Sequence, residues 1–221
     1  MSEANAFIPY RKKTYSPEEM VQRSRDFYEF MDERRSVRYF SDRPVPDEVI
    51  QNIVRTASTA PSGANKQPWT FCVIKDPQLK KRIREAAEEQ EQKNYEERMS
   101  KEWLQDLEPL GTRPEKPYLE TAPCLIIVFK RAYDRENGKR KKNYYINESV
   151  GLATGILLTA IHHAGLASLT HTPSPMGFLT DILERPREER PFLNIPVGYP
   201  AEDCVVPDLE RKSLDEVMAV Y

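Results

Sequence analysis

The sequence predicts an α+β layered domain. Helix-spaced and strand-like apolar runs alternate irregularly along the chain, and no internal repeat or low-complexity linker divides it. The glycine-rich turn of a doubly wound nucleotide-binding fold is also missing. Glycine occurs only 8 times in 221 residues, with no G-x-G-x-x-G or Walker pattern, so a nucleotide-like ligand would have to be held by side chains.

In chain order, Ser16-Pro17-Glu18-Glu19 predicts a helix start. Ser16 caps, Pro17 suits the first turn, and Glu19 closes a capping box. Met20, Val21, Ser24, Phe27, Tyr28 and Met31 then recur at helical spacing. After RRSVRYF (34–40), RPVPDEV opens a second helix with Val49, Ile50, Ile53, Val54 and Ala57 on one face, ended by Pro61-Ser62-Gly63. WTFCVI (69–74) and CLIIVF (124–129) read as buried strands bounded by proline or charge. Residues 147–164 form an apolar helix in which Val150, Ala153, Thr154, Leu157, Leu158 and Ile161 line up, with Gly165 as the residue after the cap. Residues 168–172 and 192–197 are two further short strands, and the tail RKSLDEVMAVY is apolar enough to dock on another surface. Residues 1–15 read as an N-terminal extension and 16–221 as one domain.

The totals exclude several function classes. A formal net charge of -2 removes any general electrostatic case for nucleic acid. MSEANAFIPYRKK has no apolar signal region, and no run approaches the ~20 apolar residues of a membrane span, so a soluble, cytoplasmic protein with no membrane partner is expected. Cys72, Cys124 and Cys204 are odd in number and far apart, which reads as reduced packing residues, not a disulfide framework or a zinc site.

Two constellations carry possible chemistry. RRSVR puts three guanidinium groups within five residues, just after a helix and beside Val37, Tyr39 and Phe40. Guanidinium forks match phosphate geometry and stay charged when partly desolvated, so the cluster suits a terminal phosphate. By charge pattern alone the commoner reading is a solvated face, or one paired with Asp32 and Glu33. The second constellation, PSGANKQPW (61–69), has small and amide residues between two prolines: a tight, hydrogen-bonding loop leading into a strand, suited to the edge of a flat ring, or an ordinary connection.

Together RRSVRYF and APSGANKQPW resemble the flavin-binding signature of the nitroreductase superfamily. EQKNYEERM, Lys116, YYINESVGLATGILL, THTP and VPDLERKSLDE further resemble its iodotyrosine deiodinase branch, in the same order from about Ser16 to the C-terminus. The resemblance implies a nitroreductase-like fold with a central mixed β-sheet flanked by helices, in an intertwined homodimer whose active sites draw on both chains. It implies FMN as cofactor. By motif position Arg34, Arg35, Ser36 and Arg38 would hold the phosphate and ring edge. Pro61 and Ser62 would line the ring, Thr170 and Thr172 would lie near its reactive face, and Arg211 would help bind the phosphate.

The charged segment between the two strand runs contains a row at steps of four: Leu79, Ile83, Ala87, Glu91, Tyr95, Met99, Trp103 and Leu107. Each step drifts ~40° round a helix, so the row is a slanting ridge in which Ala87, Glu91, Tyr95 and Met99 are local neighbours. By spacing alone Glu91 is a carboxylate in an apolar row or one acid on a solvated helix. The resemblance implies more: Glu91, Tyr95 and Lys116 would grip the amino-acid end of a tyrosine substrate, on a lid of about residues 85–118. It further implies reductive dehalogenation of iodo-, bromo- or chlorotyrosine. The backbone N–H of Ala64 would hold the phenolate, and the Thr172 hydroxyl would bond flavin N5 to favour single-electron steps. A separate NAD(P)H-dependent flavin reductase would supply electrons, since no nicotinamide site is readable. The animal members carry an N-terminal membrane anchor, for which no segment is seen here. Rival readings are a broad FMN nitroreductase or quinone reductase, which would ignore the amino-acid end, and a non-catalytic flavin-binding protein.

Other residues read as structural. His162 and His163 end an apolar helix. His171 has no Cys, Asp or Glu at catalytic or metal spacing, and Gly138-Lys139-Arg140-Lys141-Lys142 reads as a solvated loop.

Overall fold

A computed structural model describes residues 7–221 of the chain. The first six residues of the expected N-terminal extension lie outside the described residues, and 7–15 have no regular secondary structure and are exposed. The chain forms two compact units, Met1–Arg34 and Arg35–Tyr221.

The first unit is built on α1 (Pro17–Asp32). Its capping box forms as expected: Glu19 N–H donates to Ser16 Oγ at 3.2 Å and Ser16 N–H to Glu19 Oε2 at 2.8 Å. No residue of α1 is buried, and Met20, Val21, Phe27 and Tyr28 are exposed.

The second unit is a four-stranded sheet with helices on both faces. Strand order is β1 (Trp69–Ile74), β2 (Cys124–Arg131), β6 (Glu189–Gly198), β5 (Ala167–Ser168). All three strand pairings are antiparallel, and the parallel component of the sheet is one bridge, Ser36 to Ser168. Residues 168–172, expected as one strand, pair only at Ser168 and again at His171, which bridges Asn194.

Alternation along β2 divides the core in two. Cys124, Ile126 and Val128 face a cluster with α2 (Asp47–Ala57) and α6 (Ile146–His163). Leu125, Ile127 and Phe129 face a cluster with α3 (Pro77–Lys93), α5 (Tyr118–Thr121) and α7 (Gly177–Ile182). The helix expected at 147–164 is α6, and it stops as expected. Gly165 takes φ 75°, its N–H donates to His162 O at 2.9 Å, and Leu166 N–H donates to Ile161 O at 3.1 Å, a Schellman closure.

One expectation fails here. The basic run 138–142 is not a loop. It belongs to a hairpin of β3 (Tyr133–Glu136) and β4 (Lys139–Lys142), all four β4 residues exposed. The turn residues Asn137 and Gly138 both adopt positive φ, 50° and 76°, which matches strand twist in a two-residue connection. The tail forms the short α8 (Leu214–Val217), and every residue from 211 to 221 is exposed within the single chain. No helix among the described residues is long and apolar enough to cross a membrane.

Candidate active site

The segment read as a continuous ridge is broken. Helix α3 buries Lys80, Ile83, Ala87 and Glu91, and after Lys93 it widens into a π turn, Asn94–Arg98. Met99 is extended, and α4 (Lys101–Leu107) starts afresh with Ser100 Oγ accepting Trp103 N–H at 3.1 Å. The ridge therefore ends at the π turn, and Met99 is not a helical neighbour of Glu91. A π turn inserts one residue and rotates the chain beyond it. Tyr95 accordingly reaches Thr112, with 2.6 Å between their hydroxyl oxygens.

Glu91 is 7 % exposed and Lys116 4 %, with Lys116 Nζ 3.6 Å from Glu91 Oε2 and 5.6 Å above the Tyr95 ring. Lys116 Nζ also donates to Arg113 O, and its backbone N–H to Glu88 Oε1 at 2.6 Å. All three residues of the expected amino-acid grip thus meet in one chain.

A fourth residue joins them. His171 Nε2 lies 3.4 Å from Glu91 Oε1, and the Tyr118 ring stands edge-on to the imidazole at 5.9 Å and 88°. The reading that His171 lacks an acidic partner is overturned: Glu91 is that partner, brought from α3 by the fold, so no sequence spacing could reveal it. Tyr118 was missed for the same reason. Alternation was the available signal, since Thr170 and Thr172 are exposed and His171 between them is buried.

Burial pushes the Glu91 carboxyl upward, but His171 and the Lys116 charge outweigh it and hold Glu91 below its ordinary range. Burial lowers Lys116 against the pull of Glu91, and lowers His171 likewise. The resting charges are Glu91 anionic, Lys116 cationic and His171 neutral at neutral pH. Burial raises the Tyr118 phenol, which stays protonated. The cluster borders a cavity of about 680 Å³ lined by Arg38, Tyr39, Thr112, Arg113, Lys116 and Tyr118.

The other expected residues fall on nearby elements. Arg34 closes the first unit, its N–H bonded to Met31 O at 3.2 Å. Arg35 donates to Pro207 O, tying the arginine segment to the C-terminal stretch that carries the exposed Arg211. Ser36 bridges Ser168, and Val37 N–H donates to Ser168 O at 3.1 Å. This extended pairing sends Arg38 into the cavity wall.

The 61–67 loop is tightly built. Ala64, Asn65 and Gln67 all take positive φ, 50°, 53° and 46°, a conformation that costs non-glycine residues ~1 kcal/mol or more each. Ser62 Oγ accepts Gln67 N–H at 2.8 Å, and Gly63 N–H reaches Ser149 Oγ of α6 at 3.4 Å. Pro61 is exposed at the entry to the loop. No hydrogen bond, ion pair or ring contact among the described residues joins this loop to the Glu91 cluster.

Residues 31–199 match the nitroreductase family. The chain belongs to that family. Within it, the chain is 61 % identical over 222 residues to an iodotyrosine deiodinase of Haliscomenobacter hydrossis, covering 100 % of both. It is 49 % identical over 213 residues to iodotyrosine deiodinase 1 of Homo sapiens, covering 96 % of this chain and 74 % of that protein. Among solved nitroreductase-like structures, oxidised iodotyrosine deiodinase bound to FMN and 3-iodo-L-tyrosine superposes with a TM-score of 0.75 at 32 % identity, covering 88 % of this chain and 97 % of that one.

Proposed function

We propose that this chain reductively dehalogenates halotyrosines to tyrosine and halide, with FMN as its cofactor, as a cytoplasmic homodimer. The observation that carries this reading is the buried Glu91–Lys116 pair beside a cavity, with Tyr95 against it. The three cysteines are unpaired, which fits a reducing compartment.

The pair has the right charge arithmetic. Glu91 and Lys116 now neutralise each other, and separating them alone would strand two buried charges. A zwitterion brings one charge of each sign. Its ammonium would replace Lys116 at Glu91, while its carboxylate would take Lys116 and the Tyr95 hydroxyl, so the pair opens with every charge still matched. A bare phenol offers no such exchange. Residues 85–118 would act as the lid that carries this grip, and closing it would dry the pocket and strengthen each contact.

The residues present fit FMN. Thr170 and Thr172 are exposed, with buried His171 between them. Arg38 lines the cavity. Arg34, Arg35, Ser36, Arg38 and Arg211 would hold the phosphate and ring edge, Pro61 and Ser62 the ring, and Thr170 and Thr172 its reactive side. Bound FMN supplies the two electrons that no side chain can provide. The Ala64 N–H would stabilise the substrate phenolate as an oxyanion site does. A separate NAD(P)H-dependent flavin reductase would renew the electrons.

Purified protein is expected to be yellow and, with dithionite, to consume two electrons and one proton per iodotyrosine, releasing tyrosine and iodide. Full FMN loading without iodide release would overturn the reading.

A further inference from the structure

We propose that His171 is the positioning residue of the amino-acid end: its Nε2–H holds the Glu91 carboxylate in place when Lys116 leaves it for the substrate. This rests on the reading that Glu91 receives a substrate ammonium.

His171 and Asn194 exchange backbone hydrogen bonds, 2.9 Å from His171 N to Asn194 O and 3.0 Å in return. Residues paired this way project their side chains to the same face of a sheet, here the face that also carries Ile127, the β2 partner of Asn194. On that face sits α3 with Glu91. His171 is thus fixed to the sheet through its backbone, whereas Glu91 and Lys116 ride on the helical segment above it.

Neither ring nitrogen of His171 has a hydrogen-bond partner in this arrangement, and the buried Asn194 amide has none either. The Nε2–Oε1 separation of 3.4 Å is an ion-pair distance without hydrogen-bond alignment. A buried donor left unpaired is costly, so the ring gains when Glu91 turns to accept from it. While Lys116 occupies Glu91, that turn is not made. Once Lys116 moves to a substrate carboxylate, His171 is the donor at hand.

The protonation state of His171 decides whether this helps or hinders. Facing the ring are Glu91 from α3, Lys116 from the segment before α5, Tyr118 from α5 and Arg38 from the 35–40 stretch. Burial favours the neutral ring, Lys116 and Arg38 add to that, and Glu91 opposes it. A neutral imidazole aims Glu91 without competing for its charge. A protonated one would neutralise Glu91 and displace the ammonium. Acid should therefore weaken halotyrosine binding through this residue.

The test titrates FMN-loaded wild type, His171→Gln and His171→Leu with iodotyrosine and with iodophenol, following the flavin signal between about pH 5 and 8. Comparing variants cancels the ionisation of the ligands themselves. Gln keeps an N–H near the Nε2 position and cannot ionise. Wild type is expected to prefer iodotyrosine and to lose that preference on acidification. His171→Gln should keep the preference and flatten its pH dependence. His171→Leu should keep about a tenth or less of the neutral wild-type preference and vary little with pH, with iodophenol unmoved. An undiminished preference in His171→Leu, or a wild-type pH profile in His171→Gln, would overturn the inference; if the leucine variant does not fold, the glutamine profile decides. A wild type with no preference for iodotyrosine over iodophenol would instead sink the assignment of Glu91 itself.

Discussion

A Cβ placed on Gly198 would lie 2.4 Å from Pro123 Cδ and 2.8 Å from its Cγ. The Pro123 ring, fixed to the backbone just before β2, cannot step aside, so Gly198→Ala should cost about 1–3 kcal/mol, read as a lower midpoint in thermal unfolding. Gly63 is crowded in another way: its Cβ would meet Tyr145 Cδ2 at 2.9 Å and Tyr144 O at 3.1 Å, at the cap of α6. Gly63→Ala should displace the 61–67 loop more than it disturbs the core. Flavin content per chain should fall with little change in the unfolding midpoint; full flavin occupancy would show that the loop does not line the ring. The Glu91 cluster has a pH signature at the same scale. Burial lowers His171, so between its folded value and the ordinary 6.5 the unfolded chain binds more protons, and stability falls as pH drops through that window. Glu91, also lowered, contributes stability above the ordinary carboxylate range that is lost as pH falls through its folded value. The two add, and urea unfolding against pH in His171→Gln should lack the upper part of the decline. Glu91 was legible in sequence as an acid in an apolar row. Its partners Lys116 and His171 were not readable from spacing, because tertiary pairing leaves no local trace. The family motifs supplied Lys116 and left His171 out.

Among the elements, those with a chemical start and stop were the readable ones. Ser16 and Glu19 mark α1, and Gly165 closes α6 with its left-handed backbone. The failures had signals of a subtler kind. Steps of four persisted through residues 79–107, which concealed a π turn that rotates the chain and buries only Asn94 of its own five residues. Ser100, three residues before Trp103, was the available mark of a new helix. Asn137-Gly138 likewise marked a hairpin under a run of charge. Lys80 illustrates why charge alone misleads about burial. It lies on the buried face of α3 and sends its ammonium to Glu120 O at 2.8 Å and Ala122 O at 2.7 Å. Its stem fills the core and its head satisfies carbonyls at the end of α5. Lys80→Met keeps the stem and strands the carbonyls, so a loss of about 1–3 kcal/mol is expected in denaturant unfolding. A neutral result would mean that solvent can reach those carbonyls.

For the whole molecule, the two-faced sheet was legible from two apolar strand runs, but the division of labour between its faces was not. The 61–67 loop is bonded to Ser149 of α6, on the face of Val128 and Ile126, whereas Glu91 is carried by α3 on the face of Ile127 and Leu125. With the sheet between these two anchors, a site that needs both would take the loop of one chain and the grip of another in the proposed homodimer. Exposed apolar side chains on α1 and on the tail, among them Phe27, Leu214 and Val217, fit a chain that covers them with a second copy. Mixing two defective proteins separates the possibilities. Gly63→Ala removes the loop function and Glu91→Gln removes the ammonium acceptor. If each site takes its loop from one chain and Glu91 from the other, a mixed dimer concentrates both defects in one site and leaves its second site intact. Equal co-expression should then restore about a quarter of wild-type iodide release from two inactive parents. If loop and acceptor come from the same chain, every site in the mixture keeps one defect and no activity returns. Iodide release from the purified mixed dimer, against each parent alone, distinguishes the two outcomes.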